Sequence, residues 1–242
     1  MKGLLTATLM TTALALAGCS SFPTSLAQVE TSVPGERKLE IESWQTPEGA
    51  KVLFVASPSL PMLDVRLVFD AGSARDGDRA GLASLTSALL GEGTPDRDVG
   101  DIARGFEDLG ARFSSASYRD MAVVELRTLT ATEFFEPATD LFIEVASQPS
   151  FPAAALERIR EQALIGLQQQ QQVPGPQVSK AFYQALFGDH PYSHPSSGTE
   201  ESLPAIRRAD VQAFFEQHYA AGNAVIAMTG DLDRASAEKL AA

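Results

Sequence analysis

The stretch Gly81–Thr94, G-L-A-S-L-T-S-A-L-L-G-E-G-T, constrains this chain more than any other. Glycines near both ends bracket a short apolar run, the pattern of a helix with a definite start and stop. At about 100° per residue, Leu82, Leu85 and Leu89 share one face and Ser84, Ser87 and Ala88 the opposite one. Residues three and four apart lie one above the other, so those last three positions form one corner of the helix surface. None of them carries an imidazole, a thiolate or a carboxylate, so the corner has nothing with which to hold a metal or move a proton. Read alone, the stretch is an amphipathic core helix with a Gly-rich exit.

A chain of 242 residues can bury a full core, as one large domain or two small ones. Its formal net charge of −12 argues against nucleic acid as a partner and otherwise reads as solubility. The amino end is organised differently. Lys2 precedes an apolar run, Leu4–Ala17, that is too short for an ordinary membrane span. It ends in Leu16-Ala17-Gly18-Cys19, followed by Ser20 and Ser21. This resembles a bacterial lipoprotein signal, in which small residues precede a Cys that becomes the lipidated amino terminus. The alternative is a plain secretory signal with an incidental Cys. Cys19 is the chain's sole cysteine and stands where a lipoprotein signal puts it, which also leaves no disulfide for the mature domain. The resemblance implies a signal peptide at 1–18, lipidation of Cys19 and, from Ser20, an outer-membrane anchor facing the periplasm. Residues 19–37, rich in Ser, Pro, Thr and Gln, read as a flexible tether, with the folded domain starting at Lys38.

From there, extended and helical patterns alternate. Leu39–Trp44 and Lys51–Ala56 read as strands around the turn signal Pro47-Glu48-Gly49, and Asp64–Asp70 alternates Val65, Leu67 and Phe69. Asp98–Leu109 reads as a helix stopped by Gly110, followed by paired strands at Arg112–Tyr118 and Met121–Thr130. Helical patterns cover Thr132–Ala146, Ala153 to about Gln172, Gln177–Leu186, Arg208–Tyr219 and Arg234–Leu240, with a strand at Ala224–Thr229. The expected buried set is Leu67, Phe69, Leu82, Leu85, Leu89, Val123, Leu126, Phe142, Leu164, Phe214 and Val225.

Separated motifs in order resemble the M16 (insulinase, mitochondrial processing peptidase) family over roughly residues 44–240. They include Gln45-Thr46-x-x-Gly49-x-x-Val52, Gly72-Ser73-x-x-Asp76, the Gly81–Thr94 frame, Glu107–Ala111, His190-Pro191-Tyr192 with Gly198-Thr199, and the ending Tyr219-x-x-x-Asn223 to Gly230-Asp231. In active members the central frame reads G-L-A-H-x-x-E-H-x-x-x-x-G-T, two zinc-binding His with a Glu that activates water. The resemblance puts Ser84 and Ala88 at the two His and Ser87 at the Glu. It also places the family's third ligand, a Glu on the helix after Phe151, at Gly166. Glu157 and Glu161 read as surface charges. His190 and His194 do not make a helical ligand pair, because Pro191 and Pro195 interrupt any helix carrying both.

The resemblance implies an α+β fold, a mostly antiparallel sheet with helices packed on one side. It implies a subunit without catalytic residues, metal or cofactor, zinc being expected only in an active partner. That partner would be an active M16 zinc peptidase subunit, forming a heterodimer whose chamber takes unfolded peptides. Two other functions stay open: an envelope scaffold with the same fold, and a metallopeptidase with other ligands, for which the chain's three His make a poor set. M16 subunits pair two similar domains, so residues 38–232 read as the first domain, with its last strand at 223–230. Residues 233–242 then read as the start of a second, in a chain that is either truncated or naturally half-length.

Overall fold

The computed structural model describes residues 39–242. The expected signal peptide 1–18, the lipidation site Cys19 and the tether 19–37 lie outside them. Strands β1 (Glu42–Gln45) and β2 (Lys51–Ala56) form a hairpin, and β3 (Met62–Phe69) leads through a 3-10 turn, Ser73–Arg75, to helix α1 (Leu82–Leu89). Helix α2 (Val99–Asp108) begins at a capping box, the Asp98 carboxylate accepting from the Asp101 N–H at 2.8 Å, and ends before Gly110. A second hairpin, β4 (Arg112–Ser117) and β5 (Ala122–Leu129), precedes α3 (Thr132–Ser147) and α4 (Ala153–Gln171). Helix α5 (Pro174–Phe187) starts earlier than the expected Gln177, because a proline at the first helical position loses no hydrogen bond and brings a helical φ. The chain continues through α6 (Ser202–Ala205), α7 (Arg208–His218), β6 (Ala224–Gly230) and α8 (Arg234–Ala241). No helix among the described residues is long and apolar enough to cross a membrane.

The strands form one sheet in the order β1-β2-β6-β3-β5-β4, antiparallel except where β6 runs parallel to β2. The late strand β6 is therefore the centre of the sheet, joining the two hairpin halves. The Asn223 side chain sets its entry by donating to the carbonyls of His218 at 2.7 Å and Asp70 at 3.2 Å. Alternation sends Val52, Phe54, Leu63, Val65, Phe69, Val124 and Leu126 to one face, where the helices cover them. The opposite face carries the cross-strand pairs Arg66–Glu125 and Arg127–Asp64 beside Leu53, Val55 and Ala227. This is the expected α+β class with helices on one side.

Most of the expected core is buried: Phe69, Leu82, Leu85, Leu89, Val123, Leu126, Phe142 and Phe214. Three residues depart from it. Leu67 and Leu164 sit at the margin of the core and are only partly buried. Val225 is in register with Lys51 and Val68 and turns to the face away from the helices, leaving Ala224 and Met228 to fill the inner side. Residues 234–241, read from sequence as opening a further domain, pack on this one. Ala237 is fully buried, and the Arg234 guanidinium lies 3.7 Å from the Trp44 ring centroid and donates to Glu42 at 2.8 Å.

A close backbone approach joins the segment after β3 to the β4–β5 turn. Ser73 donates to the Tyr118 carbonyl at 2.9 Å and Ala74 to the Arg119 carbonyl at 2.8 Å. A Cβ on Gly72 would overlap the Arg119 carbonyl and the Met121 nitrogen, both backbone and unable to step aside. Gly72→Ala is expected to cost about 2–3 kcal/mol of unfolding free energy in urea titrations, by overpacking rather than φ strain.

Candidate functional site

Helix α1 has only eight residues, too few to stand alone in water, so its position depends on its surroundings. It packs against α4, α7 and β4. Its start is fixed by Asp76, whose buried carboxylate accepts from the N–H groups of Gly81 at 2.8 Å and Ala83 at 2.7 Å. A carboxylate at a helix N-terminus satisfies donors that have no intrahelical partner. Burial nevertheless pushes the Asp76 carboxyl up to about 7, against the pull of those two bonds. Gly81, at φ 94°, meets the Gly198 backbone so closely that a Cβ would collide with it, and the Ser202 hydroxyl donates to the Ala80 carbonyl at 2.7 Å. Arg160 holds the same loop from below, donating to the carbonyls of Leu203 at 3.0 Å and Ile206 at 2.6 Å.

Ser84, Ser87 and Ala88 keep their one-turn spacing within α1 and differ in exposure. Ala88 is exposed and Ser84 half-buried, so these two, with Gly91 one turn on, form the open stripe of the helix. Ser87 is buried at 2 % exposure. The reason is β4: the Ser115 hydroxyl donates to the Ser87 carbonyl at 2.8 Å, so that strand covers the side of α1 where Ser87 lies. The Ser87 hydroxyl lies against the Tyr219 phenol, and neither makes a hydrogen bond of good geometry. Burial, with Tyr219 stacked on Phe215 and tilted against Phe69, pushes the phenol well above its ordinary range. Gly166 lies in the outer half of α4, where a Cβ would meet nothing within 4 Å. Room for a larger side chain exists there, and none is supplied.

Zinc needs three or four imidazole, thiolate or carboxylate ligands. Serine, alanine and glycine at these positions do not fit that need, and among the described residues no three His, Cys, Asp or Glu side chains come together as a ligand set. His190 is used locally, its Nδ1 accepting from the Tyr192 N–H at 3.2 Å. Sequence reasoning missed Arg119, which donates to the Tyr192 carbonyl at 2.7 Å and lies 3.9 Å from the Tyr183 ring centroid. An isolated arginine in a hairpin turn carries no pattern that could have marked it.

The fold is that of a peptidase domain. The family model of insulinase (peptidase family M16) matches residues 51–200, more than half of the chain, and the chain belongs to that family. A solved structure described as a peptidase M16 inactive domain from Pseudomonas fluorescens superposes with a TM-score of 0.83 at 51 % identity, covering 84 % of this chain and 49 % of that one. An uncharacterized zinc protease of Mycobacterium bovis is 27 % identical over 77 % of this chain and 42 % of its own length. The non-peptidase homolog YmxG of Helicobacter pylori is 26 % identical over 75 % of this chain and 42 % of its own. The chain thus spans about half the length of the relatives it matches.

Two predictions follow from the ends of this helix bundle. A carboxyl whose folded pKa lies above its unfolded value keeps its proton in the folded state, so its contribution to stability is full at low pH and is lost as pH rises towards 7. Asp76→Asn removes that dependence. The stability difference between wild type and variant, from denaturant titrations at pH 4–8, is expected to shift against wild type by on the order of 1 kcal/mol per pH unit between pH 4 and about 7 and to level off above it. Tyr219→Phe deletes a buried hydroxyl without a good partner, so thermal unfolding is expected to show no loss and a gain of up to about 1 kcal/mol.

Proposed function

We propose that this chain is a catalytically silent M16 subunit of the cell envelope that binds unfolded peptide beside an active zinc-bearing M16 partner. The observation that carries the first part is the open stripe of α1. Ser84 and Ala88 supply neither nitrogen nor carboxylate at the corner where the family's chemistry takes place. The 51 % identity to a domain described as inactive, and the likeness to a non-peptidase homolog, support the same reading. The lipoprotein-like Leu16–Cys19 signal supports an envelope location with a lipid anchor at Cys19.

Peptide binding is supported by the edge of the sheet. Strand β4 has β5 on one side and no strand on the other. The hairpin register, with Tyr118 donating to Met121 at 2.8 Å, makes Ser117, Ser115 and Phe113 the residues whose backbone groups point outward. An edge of this kind pairs with an extended segment through main-chain bonds, largely independent of its sequence. It adjoins α1, so a peptide added to it passes the emptied corner. The domain then holds substrate while another subunit cuts it.

The test is binding without turnover. Fluorescein-labelled ribonuclease A, reduced and carbamidomethylated so that it stays unfolded, is expected to raise fluorescence anisotropy with the purified protein and to remain uncut. Ser115→Pro removes one outward N–H without breaking the ladder and is expected to weaken binding about tenfold or more, whereas Ser115→Ala is expected to bind as wild type. Equal binding by both variants would remove the edge from the account, and cleavage by the chain alone would remove its catalytic silence.

A further inference from the structure

Helix α5 is tied to the body unusually lightly. None of its residues is buried, and Val178, Phe182 and Leu186 on its outer side are 67, 58 and 59 % exposed. Its attachment runs along the other side. There the Tyr183 ring lies on the Arg119 guanidinium, and Phe187 meets Tyr192 edge to face at 5.3 Å. Arg119 also donates to the Tyr192 carbonyl and, at 3.4 Å, to that of His194, so one side chain latches both the helix and the loop after it. The helix is bounded by Val173-Pro174 at one end and by Gly188, at φ 55°, at the other.

Beneath it lies a cleft of ≈520 Å³, a volume suited to a small ligand or a short stretch of chain. Gln170, Gln171, Gln177 and Gln184 line it, with Arg119 and Lys180 set against Glu200 and Glu201, two charges of each sign. Four amides and balanced charge favour a ligand that both donates and accepts hydrogen bonds over an anion or a cation. His194 lines the same cleft, and both of its ring nitrogens are buried without a partner. Such a group is costly, and one of its nitrogens needs an acceptor while the other needs a donor. A peptide amide offers both.

We propose that α5 is a hinged flap over a cleft for an extended peptide segment, with His194 reading the peptide's amides. In the closed form the imidazole is stranded. Release of the Arg119–Tyr183 contact lifts α5, opens the cleft and lets a peptide take up the imidazole before the flap returns. The proposal rests on the peptide-binding reading above but uses a different surface from the β4 edge.

Hydrogen exchange on the whole protein tests it, with and without the unfolded ribonuclease A. In the free protein residues 174–187 are expected to exchange at least about tenfold faster than those of α7, and Arg119→Gln to accelerate them further without changing α7. The probe is expected to protect 174–187 and 193–201, and His194→Phe to weaken its binding about tenfold. If His194→Phe does not fold, the Arg119→Gln exchange pattern carries the test. Exchange of α5 in step with α7, or no protection of 174–187 by a bound probe, overturns the flap. Should Ser115→Pro abolish binding while His194→Phe binds as wild type, the cleft falls and the edge stands. The opposite pattern removes the edge and keeps the cleft, and a probe that no form binds removes both.

Discussion

The bonds from the Asp76 carboxylate to the first turn of α1 are the contact on which the rest of this structure hangs. Eight residues do not make a helix in water, and this one forms because its free N–H groups are met by a buried acceptor and its apolar face by the core. The close approach of Gly81 to Gly198, the Ser202 hydroxyl on the Ala80 carbonyl and the grip of Arg160 on residues 203–206 fix the loop above it. None of these contacts uses the side chains of Ser84, Ala88 or Gly166. The frame and the chemistry are therefore separable: this helix is held in place by contacts that need no ligand at the corner.

On the proposed reading, that separability lets the domain serve without a reaction of its own. Strand β4 keeps an unpaired edge beside α1, and main-chain hydrogen bonding along an edge needs no particular side chain. Covering the Ser87 side of the helix with β4 and Tyr219 closes the interior of the corner while leaving the stripe of Ser84, Ala88 and Gly91 open. Small residues there let a passing chain approach the helix closely.

The fold was largely legible in the sequence because its signals are local. Leu82, Leu85 and Leu89 gave the buried face of α1, Gly110 gave the stop of α2, and alternation along Asp64–Asp70 gave β3. Failures arose where a distant element decides. Val225 looked like core, but its pairing with β2 and β3 turns it outward. The central place of β6, parallel to β2 across most of the chain, has no local mark at all. Nor has Arg119, whose role depends on a helix and a loop more than sixty residues away. At the candidate site the sequence revealed which groups are missing, since absence of donors is a statement about residue types; how the gap is filled is a statement about packing.

The central claim is that this corner has no imidazole, thiolate or carboxylate with which to retain a Lewis acid. Zinc content measured on the purified protein, after equilibration with zinc and exhaustive dialysis, tests it most directly. The account predicts far less than one zinc per chain, with unfolding temperature unchanged by a chelator. One tightly held zinc per chain, whose removal lowers that temperature, would contradict it.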